Sequence, residues 1–216
     1  MEAVSVKKNY QLKNHNTFNL NVFASEYLEF YSDEDMHVWL CNNDISDRRF
    51  LVLGQGSNIL FTKDYDGLVI RPATAYIEII SESPDEVFVE VASGVIWDDF
   101  VEWAVEKGFY GTENLSDIPG TVGASVVQNI GAYGAEISNI VKSVKYLNTV
   151  DTEVYEIPKF RCKFAYRDSV FKQRLKNRTI ILSVCFRLKK KSVLNTEYAD
   201  VAFAIKEIDN PGLKDI

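Results

Sequence analysis

Two glycine-rich stretches hold the residues best suited to grip an anion. Gly54-Gln55-Gly56-Ser57-Asn58 follows the apolar run Phe50-Leu51-Val52-Leu53, which reads as a buried strand. Residues 114–134 carry Gly120, Gly123, Gly131 and Gly134 among mostly small, uncharged side chains. Glycine lacks a Cβ and tolerates φ > 0, so peptide N–H groups can converge on something bulky and negatively charged. Two such loops in one chain point to a large phosphate-containing cofactor held along its length. Each also has a plainer reading. The first reads alone as a strand-to-strand turn, because no third glycine follows at dinucleotide-fingerprint spacing and Ile59-Leu60-Phe61 does not open a helix. The second reads as an irregular connection over a sheet edge, although twenty-one residues is long for that and long ordered loops tend to be functional.

A second chemical signal is cationic. From Lys159 to Arg178 there are eight basic residues against one acid, Asp168, in a chain of net charge −7. The run reads either as a solvated basic face or as an anion site. Within it, Arg167 reads from the sequence alone as a surface ion-pair residue, for example with Asp168.

Taken together and in order, these pieces resemble a known family. Asn16-Thr17-Phe18, Leu53 to Asn58, Glu113-Asn114-Leu115 through Ile118-Pro119-Gly120, Gln128 to Gly134, and Phe164-Ala165-Tyr166-Arg167-Asp168-Ser169 are similar to segments of the UDP-N-acetylenolpyruvoylglucosamine reductases, flavoenzymes of bacterial peptidoglycan precursor synthesis. The likeness runs from about residue 14 to about residue 200.

The resemblance implies an α+β chain with a two-subdomain FAD-binding fold of the vanillyl-alcohol-oxidase (PCMH) type. It implies non-covalent FAD, NADPH as hydride donor and a nucleotide-sugar substrate. Carried over position by position, the cofactor-binding residues are Gly54, Gln55, Gly56, Ser57, Asn58, Ile118, Pro119, Gly120, Gly123, Ala124, Ser125, Asn129, Ile130 and Gly131. Arg167 matches the family's carboxylate-polarising arginine, and a guanidinium suits that task because it stays charged and offers a planar fork. Tyr166 and Tyr198 match substrate-binding positions.

One departure matters. Family members continue into a third, substrate-binding domain, which carries a proton-donor serine in a Gly-Ser-Phe-Phe segment and a late glutamate. This chain stops at Ile216 and contains no Ser-Phe-Phe. The expectation is therefore the FAD-binding portion of the reductase, inactive by itself, or a non-catalytic flavin-binding module. Another oxidoreductase with the same FAD cradle is disfavoured, because such relatives often tether the flavin through a first-loop histidine and residues 53–61 hold none.

The elements that must position these residues are mostly strands. The patterning predicts strands at Leu20 to Phe23, Tyr27 to Phe30, Phe50 to Leu53 and Gly67 to Arg71, with a capped helix starting at Ser32. It predicts a strand pair at Ala75 to Ile80 and Glu86 to Val91, then an amphipathic helix over 96–107 ending at Gly108. A hairpin at Val141 to Leu147 and Val154 to Ile157 follows, then a strand at Thr179 to Leu188. A helix over Tyr198 to Ile208 should stop near Asn210-Pro211-Gly212. The break at Arg71-Pro72 divides residues 1–71, an α/β FAD-binding subdomain, from residues 72–216, a larger β-rich one.

Composition narrows the classes. At 216 residues the chain can bury a core without disulfide staples. Net charge of −7 argues against general nucleic-acid binding. No apolar run reaches the length of a membrane span, and Met1 to Lys8 has no signal-peptide core, so a cytoplasmic monomer is expected. Cys41, Cys162 and Cys185 read as reduced structural thiols, and His15 and His37 lie too far apart to suggest a metal site.

Overall fold

The computed structural model describes residues 4–191, 194–209 and 211–216. Two sheets dominate it. The first uses β1 (Val6–Gln11), β2 (Phe23–Phe30), β3 (Phe50–Val52) and β4 (Tyr65–Pro72) in the order β1-β2-β4-β3. β1 is antiparallel to β2, whereas β2 and β3 both run parallel to β4. A parallel pair needs a crossover, and α1 (Asp33–Asn42) supplies it between β2 and β3. Ser32 caps that helix by accepting the Asp35 N–H, and three acids fill its first turn.

Alternation along β2 and β4 explains why both faces of this sheet are covered. Leu28, Phe30, Leu68 and Ile70 point toward Met36 and Leu40 of α1, while Tyr27 and Val69 point toward Leu12, Val22 and Phe61. The first of these clusters also takes in Leu147, Ile180 and Leu182, so it is shared with the second sheet.

That second sheet is β10-β9-β11-β6-β5, antiparallel throughout. Its strands are β5 (Ile77–Glu82), β6 (Glu86–Ala92), β9 (Val141–Asn148), β10 (Val154–Pro158) and β11 (Thr179–Lys189). Val87, Val89 and Val91 of β6 and Val184, Phe186 and Leu188 of β11 form one buried face. Onto it packs α2 (Trp97–Glu106) through Trp97, Phe100, Val101 and Ala104, all buried. Burying each large member of that stripe stabilises the fold by about 1.5–3 kcal/mol. The Trp97 indole N–H donates to Leu115 O at 2.7 Å, so the ring is satisfied as well as packed. The helix ends where Gly108 takes φ +73°, as expected of a glycine just past a helix end.

Several expectations need correction. Leu20 to Phe23 and Tyr27 to Phe30 are not two strands: Phe23–Phe30 is one strand of eight residues, and β1 precedes it. Ala24 is fully buried and pairs with Tyr10 of β1, as Glu26 does with Lys8, so the strand runs on through a register shift against β4 between Ala24 and Glu26. Residues 114–134 are not a loop: they contain α3 (Val122–Gln128) and the start of a small hairpin, β7 (Gly131–Ala132) with β8 (Ala135–Glu136). Small residues masked the helix, yet they allow it: a Cβ on Gly123 would lie 2.8 Å from the Ser93 Cβ, so only glycine lets α3 approach the end of β6. The C-terminal helix, α5, covers only Ala199–Ala204, and Asn210 of the expected stop signal lies outside the described residues. A single turn, α4 (Lys159–Cys162), follows β10.

Candidate functional site

The first glycine loop leaves the end of β3, and Leu53 N–H still reaches Ile70 O at 2.9 Å before the chain turns outward. Gly56 is left-handed, φ +69°, and a Cβ there would sit 2.2 Å from His15 O. Glycine is thus required by the backbone beneath it. That backbone is held by Asn16, which is buried and whose amide bonds Leu12 O at 2.8 Å and Leu20 N–H at 2.9 Å. The Asn16-Thr17-Phe18 motif is therefore a support for the loop, and Thr17 N–H donates to Gly56 O at 3.4 Å.

The second stretch is anchored from the other sheet. Trp97 N–H donates to Gly120 O at 3.0 Å, Val122 N–H to Val95 O at 2.9 Å and Gly123 N–H to Ser93 O at 2.9 Å. The two stretches then meet. Gly120 N–H donates to Gln55 Oε1 at 2.7 Å, Ser57 Oγ to Pro119 O at 3.0 Å and Asn58 Nδ2 to Gln128 Oε1 at 2.5 Å.

Between them lies a cavity of about 310 Å³. Gly54, Gln55, Gly56, Ser57 and Asn58 line one wall; Gly120, Gly123 and Ala124 line the facing one. Two features of this lining look for a ligand. The backbone N–H groups of Gly54 through Asn58 have no protein acceptor among the described residues. Ser93, 1 % exposed, is among the residues lining the cavity, and its buried hydroxyl is also without a partner among the described residues. Buried polar groups are rarely left unpaired, so both favour an acceptor-rich occupant. Lys172 and Lys176 also line it and add positive charge.

The other sequence-singled residues stand elsewhere. Ile118 packs against the core, and Pro119 contributes only its carbonyl to the Ser57 staple. Ser125 is buried with its hydroxyl donating to Val122 O at 2.6 Å. Asn129 is the left-handed end of α3, φ +47°; its amide bonds Glu136, Ala165 O and the Ser138 N–H. Ile130 is core, and Gly131 begins β7.

Arg167 is exposed and sits at φ +51°, a conformation costing a non-glycine residue roughly 1–2 kcal/mol. It occupies a tight turn in which Ala165 and Asp168 exchange backbone bonds of 3.0 Å each. Its Nη2 donates to Gly131 O at 2.8 Å. The expected ion pair with Asp168 does not form: Asp168 binds Gln173 instead, and no salt bridge engages Arg167 among the described residues. Ser169 Oγ donates to Val127 O at 2.7 Å, which docks this turn on α3 beside the cavity. Tyr166 is 85 % exposed with the Arg167 guanidinium 6.0 Å from its ring. Tyr198 stands at the N-cap position of α5 and packs edge-on against Tyr133 at 5.6 Å. His37 Nε2 lies 2.9 Å from Thr152 O, a structural tie between α1 and the β9–β10 turn.

Sequence reasoning missed Ser93, which stands in an unremarkable Ala-Ser-Gly. It noted the basic run that holds Lys172 and Lys176 without singling them out.

The model of the FAD-binding domain family matches residues 35–157, a stretch that contains both walls of the cavity. The chain belongs to the FAD-binding domain family. Its likeness to the reductases extends further. It is 39% identical over 197 residues to the UDP-N-acetylenolpyruvoylglucosamine reductase of Bacteroides fragilis (strain YCH46), covering 91% of this chain and 58% of that protein. With the Flavobacterium johnsoniae reductase it shares 40% identity over 216 residues, 99% of this chain and 64% of the relative. The chain thus spans less than two thirds of the length of these curated relatives. Among solved structures, the reductase of Thermus caldophilus superposes with a TM-score of 0.69 at 23% identity, over 94% of this chain and 69% of that one. A solvent-stable cholesterol oxidase superposes with a TM-score of 0.61 at 12% identity, over 87% and 38%. These likenesses establish the fold: α+β, of the two-subdomain FAD-binding type expected from the sequence. No helix among the described residues is long and apolar enough to cross a membrane.

Proposed function

We propose that this chain holds FAD non-covalently between its two sheets as the FAD-binding portion of an NADPH-dependent UDP-N-acetylenolpyruvoylglucosamine reductase. The observation that carries the reading is the cavity between two stapled glycine loops, whose lining includes a run of unpaired backbone N–H groups and Ser93 with its unpartnered hydroxyl. Gly54 through Asn58 would hold the diphosphate, with Lys172 and Lys176 adding positive charge nearby. Bound FAD would supply the hydride route from NADPH to the enolpyruvyl methylene of the UDP-sugar.

The chain's own part in that reaction falls to Arg167. Hydride addition to the alkene becomes feasible as negative charge moves onto the neighbouring carboxylate. A guanidinium aimed there stabilises that charge where it develops. Arg167 has five N–H donors and spends one of them on Gly131 O, which fixes its direction and leaves the rest for a carboxylate.

Ser93→Ala tests the cofactor reading. Deleting an unpaired buried hydroxyl should leave the FAD-free protein as stable or about 1 kcal/mol more stable. FAD affinity, read by flavin fluorescence titration, should fall about two- to tenfold. Unchanged affinity would remove the cavity as the cofactor site.

A further inference from the structure

Lys172 joins two parts of the site. It is one of the residues lining the cavity, and its Nζ donates to Arg167 O at 2.9 Å. The neighbours of Arg167 are gripped by others: Asn129 Nδ2 bonds Ala165 O at 2.9 Å, and Gln173 bonds the Asp168 carboxylate. Among the described residues, only Lys172 bonds the main chain of Arg167 itself. A left-handed arginine keeps that conformation only where its surroundings over-determine it.

An ammonium carries three donors. One is committed to Arg167 O, and the others are free for an anion in the cavity that Lys172 borders. Lys176 lines the same cavity, yet its ammonium has no hydrogen-bond partner among the described residues. The two lysines therefore offer similar charge to a ligand, and only one is tied to the arginine.

We propose that Lys172 is a positioning residue that bridges the Arg167 carbonyl and the anionic part of the cofactor, so that cofactor binding tightens the turn aiming the guanidinium. The coupling rests on the FAD reading above. Arg167 is the residue assigned to the substrate carboxylate, Lys172 lines the cavity assigned to the cofactor, and only four residues of chain separate them.

The test is amide hydrogen exchange at Ala165 and Asp168, whose N–H groups close the turn. The proteins are wild type, Lys172→Met, Lys172→Arg and Lys176→Met, each with and without FAD. Without FAD, Lys172→Met should speed exchange of both amides roughly tenfold, with core amides of β11 unchanged. Lys172→Arg should stay within about twofold of wild type, and Lys176→Met should match it. FAD should slow both amides in wild type and in Lys176→Met but not in Lys172→Met. Equal FAD-free exchange in Lys172→Met and wild type overturns the proposal, as does equal slowing by FAD in the two. Failure of all four proteins to bind FAD would defeat the cofactor reading and the bridge with it. The FAD-free comparison would then still decide whether Lys172 holds the turn.

Discussion

The Gln55 side-chain oxygen accepts the Gly120 N–H at 2.7 Å, joining residues 65 positions apart. Gln55 follows the end of β3 in the first sheet and Gly120 precedes α3, which packs on the second, so this bond helps set the width of the cavity between them. Ser57–Pro119 and Asn58–Gln128 repeat the arrangement. Removing Gln55 should therefore loosen the two walls. A neutral hydrogen bond contributes about 0.5–1.5 kcal/mol, so Gln55→Ala should weaken FAD binding about two- to tenfold. Fluorescence titration reads the change. Tighter binding in the variant would mean that Gln55 competes with the cofactor for the Gly120 N–H.

Gly56 makes a different demand. A Cβ at this position meets His15 O at 2.2 Å and Asn16 Cα at 2.9 Å, and the residue is left-handed. Gly56→Ala should cost more than about 1–3 kcal/mol before any cofactor is added. Urea melts of the FAD-free protein check this. A variant as stable as wild type but unable to bind FAD would show that the glycine serves the ligand rather than the backbone at His15 and Asn16.

Asp33 links stability to pH. It opens α1 with one carboxylate oxygen buried and unpartnered among the described residues. Burial, opposed by the nearby Lys145 charge and reinforced by Glu90, raises its pKa from 3.8 to about 6. The native state then holds the proton more tightly than the unfolded state. Its stabilising contribution is fullest below the unfolded value and is lost as pH climbs through about 6. Asp33→Asn should remove that loss. With screening allowed for, and some helix-terminus attraction forfeited, the variant should gain on the order of 1 kcal/mol over wild type at high pH. The gain should vanish near pH 4. An advantage that does not change with pH would place its cause elsewhere.

Under the proposed reductase function, Arg167→Lys should separate the two half-reactions in a protein that turns over. Lysine keeps the charge but loses the planar fork. Reduction of the enzyme by NADPH should be little changed, since no substrate carboxylate is present then. Oxidation by the enolpyruvyl substrate should slow far more, lowering kcat together with kcat/KM. Stopped-flow absorbance resolves the two phases. Equal slowing of both would make Arg167 a structural residue of the Gly131 contact.

Much of this was legible in the sequence because local pattern and tertiary role coincide. Trp97, Phe100, Val101 and Ala104 recur at helical spacing because they cover one sheet face. The Ser83-Pro84-Asp85 turn joins β5 and β6 as its residue types demand. Where the two part, the sequence misleads. Residues 122–128 read as loop because glycine and serine dilute the signal, yet those small residues let the helix lie against Ser93. The glycine of the first loop was read as making room for phosphate, but His15 already occupies the space its Cβ would need. Neither Ser93 nor the Lys172–Arg167 bond has any local pattern, since each is created by segments meeting in space.

The central claim is that the cavity between the two sheets holds FAD. Titrating FAD into the purified chain, with calorimetry and thermal melts on the same samples, tests it most directly. The account predicts saturable, stoichiometric binding and a melting temperature that climbs with FAD, the stabilisation reaching about 2.7 kcal/mol at a hundredfold excess over Kd. Flat heats together with an unchanged melting temperature at high FAD would contradict it.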